Sequence, residues 1–192
     1  MNLRRFALPA WAPWAAGAAL ALWLLPRTAG ARVKLTSRAQ AHAYYGPLRP
    51  GLDYIEGADG RIIPTAKWKR DHVAWFTLHD GRKREFNRKA GAHFVRTFRE
   101  AVEASGYNPG SVQTTVYRHI LWNPSQPLSE HSYGVAVDVN PTRNGYGKAP
   151  GRAEIDKFPK FVEVFERNGF VWGGRWKGKS RDPMHFELRA IV

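Results

Sequence analysis

The clearest period in the chain runs from Asn87 to Gly106. Phe94, Val95, Phe98, Ala101 and Val102 recur at i, i+1, i+4, i+7 and i+8, the stripe of an amphipathic helix. Asn87 is the expected cap and Gly106 the expected stop. A second helix is predicted from Pro159 to Asn168. Proline suits its first position, Phe161, Val162 and Phe165 supply an apolar face, and Gly169 ends it. Elsewhere the pattern alternates. "SVQTTVYR" (111–118) reads as a β-rich strand, and "VAVDVN" (135–140) as another. In the latter, Val135, Val137 and Val139 face one way, and Ala136, Asp138 and Asn140 the other. "FVW" (170–172) and "MHFEL" (184–188) close the domain as strands. Residues 65–87 read as strands folded about an Asp80–Gly81 hairpin turn. Residues 32–60 read as irregular, punctuated by Gly46-Pro47, Pro50-Gly51 and Asp59-Gly60. Together these predict one α+β domain from about residue 32, a small antiparallel sheet with flanking helices.

The first 31 residues differ in kind. Arg4 and Arg5 precede an uncharged stretch from Phe6 to Leu25, followed by Pro26, Arg27 and an "AGA" at 29–31. Residues 1–31 are expected to be a cleaved signal peptide or an uncleaved N-terminal membrane anchor; a buried N-terminal helix is the third reading. Either leading reading exports the domain at 32–192, to the periplasm or another extracytoplasmic space.

Composition narrows the chemistry. The 192 residues carry a formal net charge of +14, a field that favours polyanions such as anionic cell wall or a membrane surface. No RNP motif, zinc-finger spacing or basic heptad helix is present, so specific nucleic-acid binding is not expected. There is no cysteine. A lipoprotein anchor, disulfides and thiolate metal sites are thereby excluded, and any metal must rest on His, Asp or Glu.

Asp138 then stands out, an ionisable residue within an apolar strand. His131 lies seven residues earlier, with Gly134 able to bend the chain between them. In "RDPMHFEL", alternation puts Met184, Phe186 and Leu188 on one face and His185 and Glu187 on the other. If this strand pairs beside "VAVDVN", Asp138 and His185 converge, and with His131 they form a three-ligand zinc site that leaves a position open for water. Asp182, three residues before His185 with Pro183 between, is the candidate base. Arg118, ending "TTVYR", is the candidate cation for an oxyanion. Each residue alone has an ordinary reading: a loop histidine, a turn-bonding aspartate, the polar face of an edge strand. His42, His72, His79 and His93 lack any such spacing and read as surface residues, while His119 beside Arg118 is ambiguous.

"SEHSYGVAVD" (129–138) resembles the S-x-H-x-x-G-x-A-x-D motif of the VanY-type D-Ala-D-Ala metallopeptidase family. "GFVWGGRW" followed by "DPMHFE" resembles that family's second block, in the version found in endolysin-type L-alanyl-D-glutamate endopeptidases, and "VYR" its arginine-bearing strand. The resemblance spans about residues 88–188. It implies the hedgehog-like D-Ala-D-Ala-peptidase zinc fold, zinc on His131, Asp138 and His185, Asp182 as catalytic base, and Arg118 on the substrate carbonyl. It also implies that Ser129 orients the first ligand. Glu187 reads as a partner behind the ligands, and Trp172 and Trp176 as core or cleft wall. One residue departs from the pattern: Arg175 stands where W-G-G-D-W has an acid, which bears on substrate preference. The expected activity is hydrolysis of peptidoglycan stem peptides, as an L-alanyl-D-glutamate endopeptidase, with D-alanyl-D-alanine carboxypeptidase as the alternative. A non-catalytic zinc-containing wall-binding module and a basic nucleic-acid or membrane-surface binder are the rivals from other classes.

Overall fold

A computed structural model describes residues 33–35 and 37–191. The leader or anchor expected at 1–31 lies outside the described residues, among which no helix is long and apolar enough to cross a membrane. The strands are β1 (Val33–Lys34), β2 (Tyr54–Glu56), β3 (Ile62–Pro64), β4 (Val73–Thr77), β5 (Lys83–Asn87), β6 (Val112–Gln113), β7 (Ala136–Val139), β8 (Phe170–Trp172), β9 (His185–Leu188) and β10 (Ala190–Ile191). The helices are α1 (Arg38–Tyr45), α2 (Ala66–His72), α3 (Gly91–Ser105), α4 (Pro141–Asn144) and α5 (Pro159–Arg167). The α+β class with small antiparallel sheets is as expected.

One four-stranded antiparallel sheet, in the order β6-β7-β9-β8, carries the molecule. In its register Val137 opposes Phe186, Asp138 opposes His185, and Ala136 opposes Glu187. Directly opposed residues of an antiparallel pair lie on one face. The valines of β7 therefore join Phe186 and Leu188 on one side, and the polar residues gather on the other. Helices α3 and α5 cover the apolar face. Phe165 packs 4.5 Å from Phe186 and 5.0 Å from Phe170 between ring centroids, and Phe86 stacks on Phe94 at 4.1 Å. Phe86, Phe94, Phe98, Phe161, Phe165 and Phe186 are almost wholly buried, each contributing about 1.5–3 kcal/mol by transfer from water. This aromatic layer is the rigid floor beneath the polar face.

Several local expectations hold. Helix α3 ends on Gly106 in the left-handed region, α5 opens on Pro159, and β4 and β5 form a hairpin around Asp80 and Gly81. Others do not. The stretch read as irregular contains α1, started by Ser37, whose side chain accepts the Gln40 N–H. The start of the stretch read as strands is helix α2, capped by Thr65. Only Val112–Gln113 of "SVQTTVYR" is strand. Asn87 does not cap α3, which follows Ala90; its Oδ1 accepts the Lys89 N–H, and its amide donates to the carbonyls of Tyr45 and Tyr133. It fastens the turn carrying His131 to the rest of the domain.

Candidate metal centre

Asp138 and His185 enter the site as opposed residues of β7 and β9. His131 arrives from outside the sheet, on a single 3-10 turn, Glu130–Tyr133. Ser129 caps that turn, its Oγ accepting the His131 N–H at 3.4 Å. Gly134 ends it at φ +66, and a Cβ there would stand 2.7 Å from the Asn87 nitrogen. Only glycine satisfies both the left-handed backbone and that approach. The chain thus folds back, and His131 lies over Asp138.

Three atoms converge. His131 Nε2 is 3.2 Å from Asp138 Oδ1 and 3.2 Å from His185 Nδ1, and His185 Nδ1 is 3.1 Å from Asp138 Oδ1. All three residues are buried. Metal–ligand bonds of about 2.0–2.1 Å put the corners of a tetrahedron about 3.3–3.4 Å apart. The triangle therefore fits three corners of a zinc site, with the fourth left for water or substrate. The remaining ring nitrogens orient the lone pairs. His131 Nδ1 is 2.5 Å from the Thr114 carbonyl, which can only accept, so Nδ1 carries the hydrogen and Nε2 points its lone pair inward. His185 Nε2 is 3.3 Å from Glu187 Oε2, which in the same way frees Nδ1 for a metal.

Burial opposes ionisation of Asp138, but the charge and hydrogen bond of His131, then those of His185, outweigh it and hold the carboxyl far below its usual range. Burial likewise disfavours charge on His185, yet hydrogen bonds to Asp138 and Glu187 lift it to about 10. Glu187 is driven down to about 2: burial resists this, but His185 and then Arg189 prevail. Two buried carboxylates flanking His185 demand positive charge between them. A proton on the imidazole meets that demand, and so does a divalent cation at Nδ1.

Asp182 lies beside the triad. Its backbone N–H donates to Gly173 O at 2.9 Å, and its carbonyl accepts the His185 N–H at 3.1 Å. Its side chain is buried, and Oδ1 has no hydrogen-bond partner among the described residues. Burial raises it to about 6, His185 pulling down and Asp138 pushing up. Arg118 is half-buried; burial lowers its pKa, while the charges of Asp138 and Asp182 raise it. Its guanidinium donates to His119 O at 3.2 Å and lies 5.3 Å from the Trp122 ring centroid. Trp176 walls the site, 5.4 Å from the His185 ring. Trp172 belongs to the core: it packs on Phe186, and its Nε1 donates to Pro183 O at 2.8 Å, steadying the turn that bears Asp182. Arg175 points to α5, held by both oxygens of Glu166 at 2.5 and 2.7 Å.

Sequence reasoning missed the support behind these groups. Glu130, 2% exposed, binds Arg38 at 2.7 Å, His42 at 3.1 Å and Arg189 at 3.2 Å. Arg189 also binds Glu187 at 2.6 Å, so one guanidinium joins the turn carrying His131 to the strand carrying His185. Only the position of Glu130 next to His131 signalled this. Trp122 was missed too. It and Leu121 are exposed yet hold positive φ, 58 and 53, a strained pair at the Arg118 edge of the site of the kind that gathers at functional sites. The histidines also need correction. His93 is buried and bonded to Asn168 O, because α3 turns it toward Phe170. His42 is half-buried, stacked on Tyr133, and His72 is half-buried against Trp68. His79 is exposed as expected. His119 is structural, fixed by Gln126 O and Glu56.

Residues 123–188 match the model of a family described as D-alanyl-D-alanine carboxypeptidase. The matched segment is similar to that family and contains the converging triad, Asp182 and Glu187. Arg118 lies outside it. No solved structure matches the chain.

Proposed function

We propose that this chain is a zinc-dependent peptidase that hydrolyses peptidoglycan stem peptides, as an L-alanyl-D-glutamate endopeptidase. The observation that carries the reading is the triangle of His131 Nε2, Asp138 Oδ1 and His185 Nδ1, with edges of 3.1–3.2 Å, beside an unpartnered buried carboxylate. When bound, zinc supplies Lewis-acid polarisation of the scissile carbonyl and makes water more acidic. Asp182 takes the proton of the attacking water and returns it to the leaving amine. A carboxyl raised to about 6 suits both transfers near neutral pH. Arg118 donates to the carbonyl oxygen as negative charge develops there, with the Trp122 ring centroid 5.3 Å from its guanidinium carbon. Ser129 holds the His131 backbone, and Thr114 and Glu187 hold the two imidazoles.

D-Alanyl-D-alanine carboxypeptidase is the second reading, favoured by the description of the matching family. Mass spectrometry of muropeptides after digestion separates the two. Release of stem peptides from L-Ala-linked sugar fragments supports the endopeptidase. Loss of terminal D-Ala alone from pentapeptide stems means the carboxypeptidase. The proposed place of action is outside the cytoplasmic membrane, on the basis of the uncharged 6–25 stretch. Cell fractionation tests it, and soluble cytoplasmic protein with Met1 intact would contradict it.

A further inference from the structure

Beside the metal centre lies an open groove of about 580 Å³, between the loop at 147–150 and the loop at 174–181. Trp176 is the shared wall, lining the groove while its ring sits 5.4 Å from His185. No carboxylate lines the groove; Arg175, Lys177, Lys179 and Arg181 do. The two arginines are committed elsewhere. Arg175 is paired with Glu166. Arg181 is buried, paired with Asp156 at 2.6 Å, and donates to the carbonyls of Lys148, Ala149 and Gly174. It thereby ties the two loops together and fixes the width of the groove. Lys177 and Lys179 are different. Both are exposed, on either side of Gly178 at φ +61, and the ammonium group of neither has an ion-pair or hydrogen-bond partner among the described residues. A rigid cleft next to a candidate hydrolytic centre thus presents two unpaired ammonium groups and an indole wall.

We infer that this groove holds a carboxylate-bearing segment of the peptide substrate to one side of the bond cut, with Lys177 and Lys179 contacting the carboxylate and Trp176 the adjoining chain. The inference rests on the peptidase reading above and adds a charge requirement to it. The lysines are point charges on flexible stems, so they accept a carboxylate without fixing its orientation. The carboxylate belongs either to a side chain of the stem peptide or to its free C-terminus.

Three synthetic stem tetrapeptides distinguish these sources: one with all carboxylates free, one with side-chain carboxylates amidated, and one with only the C-terminus amidated. Calorimetric titration of the zinc-loaded protein gives binding, and steady-state rates give kcat and KM. The variants are Lys177→Gln/Lys179→Gln and, as a control of equal charge change at lysines that do not line the groove, Lys67→Gln/Lys160→Gln. The wild type should bind the free acid more tightly than one of the amides, by about three- to thirty-fold for two partly exposed ion pairs. The groove variant should lose that preference by raising KM with kcat little changed, and the control variant should keep it. Equal binding of all three peptides by the wild type, or a preference that survives in the groove variant, overturns the inference. So does equal loss in the control, which would assign the preference to the overall +14 field. Absence of turnover on every peptide with the preference intact would instead count against the peptidase reading.

Discussion

Replacing Asp182 by asparagine should make the metal-free protein more stable while nearly abolishing turnover of the zinc-loaded one. Burial raises this carboxyl from the ordinary 3.8 to about 6, equivalent to roughly 3 kcal/mol against its ionised form. Partial contact with water reduces that figure, so a gain of about 1–3 kcal/mol is expected. A neutral amide of the same shape avoids most of the cost of a buried charge. The sign follows from linkage. The folded state binds the proton more tightly than the unfolded chain, so the penalty is complete above about pH 6 and gone below about pH 4. The advantage of Asp182→Asn should therefore be full and nearly constant from about pH 8 to just above 6, and shrink as pH falls from about 6 to 4. Urea unfolding of both proteins in chelator, at several pH values, measures it. The zinc-loaded variant should lose about 10²–10⁴ in rate, the scale of general acid–base help. A variant less stable than wild type near pH 8, or a gain that does not shrink on acidification, would refute this account of Asp182. A merely structural carboxylate would show the reverse, losing stability with its charge.

Two further substitutions separate the neighbouring roles. Arg118→Ala should retain zinc and fold while turnover falls by about 10²–10³, because it removes one donor to the developing oxyanion; loss of zinc from that variant would show that Arg118 supports the metal instead. Arg189→Met should keep its far-ultraviolet circular dichroism but bind zinc about 10- to 100-fold more weakly, since the groups behind metal ligands tune affinity on that scale. Competition with a chromogenic chelator measures the change, and unaltered affinity would detach Arg189 from the site.

Much of the site could be read from the chain because sheet geometry is short-range. Once β7 and β9 are assigned, a period of two puts Asp138 on one face of β7 and His185 and Glu187 on one face of β9, and pairing brings the faces together. Helices α3 and α5 were legible for a similar reason, since each repeats a wide aromatic stripe. Helices α1 and α2 were not. Only Ala41 and Tyr45 of α1, and Trp68 of α2, are buried, too few to mark a period. What starts them is a capping side chain, Ser37 or Thr65, whose partner is known only once the backbone has turned. The clamp at Glu130 was hidden by distance: Arg38 lies 92 residues before it and Arg189 lies 59 after. Asn87 shows the converse error. A side chain suited to capping was given the start of α3, whereas its oxygen serves the turn at Lys89 and its amide reaches across 42 and 46 residues.

The most direct test of the central claim is zinc content by elemental analysis of the purified domain and its His185→Ala variant, each equilibrated with zinc and desalted. One candidate triad among the described residues predicts about one zinc per chain. Removing His185 leaves two ligands and should empty the site, with hydrolysis of cell wall lost in the same preparation. Zinc retained in full by His185→Ala would contradict the metal centre described here, whatever activity the wild type displays.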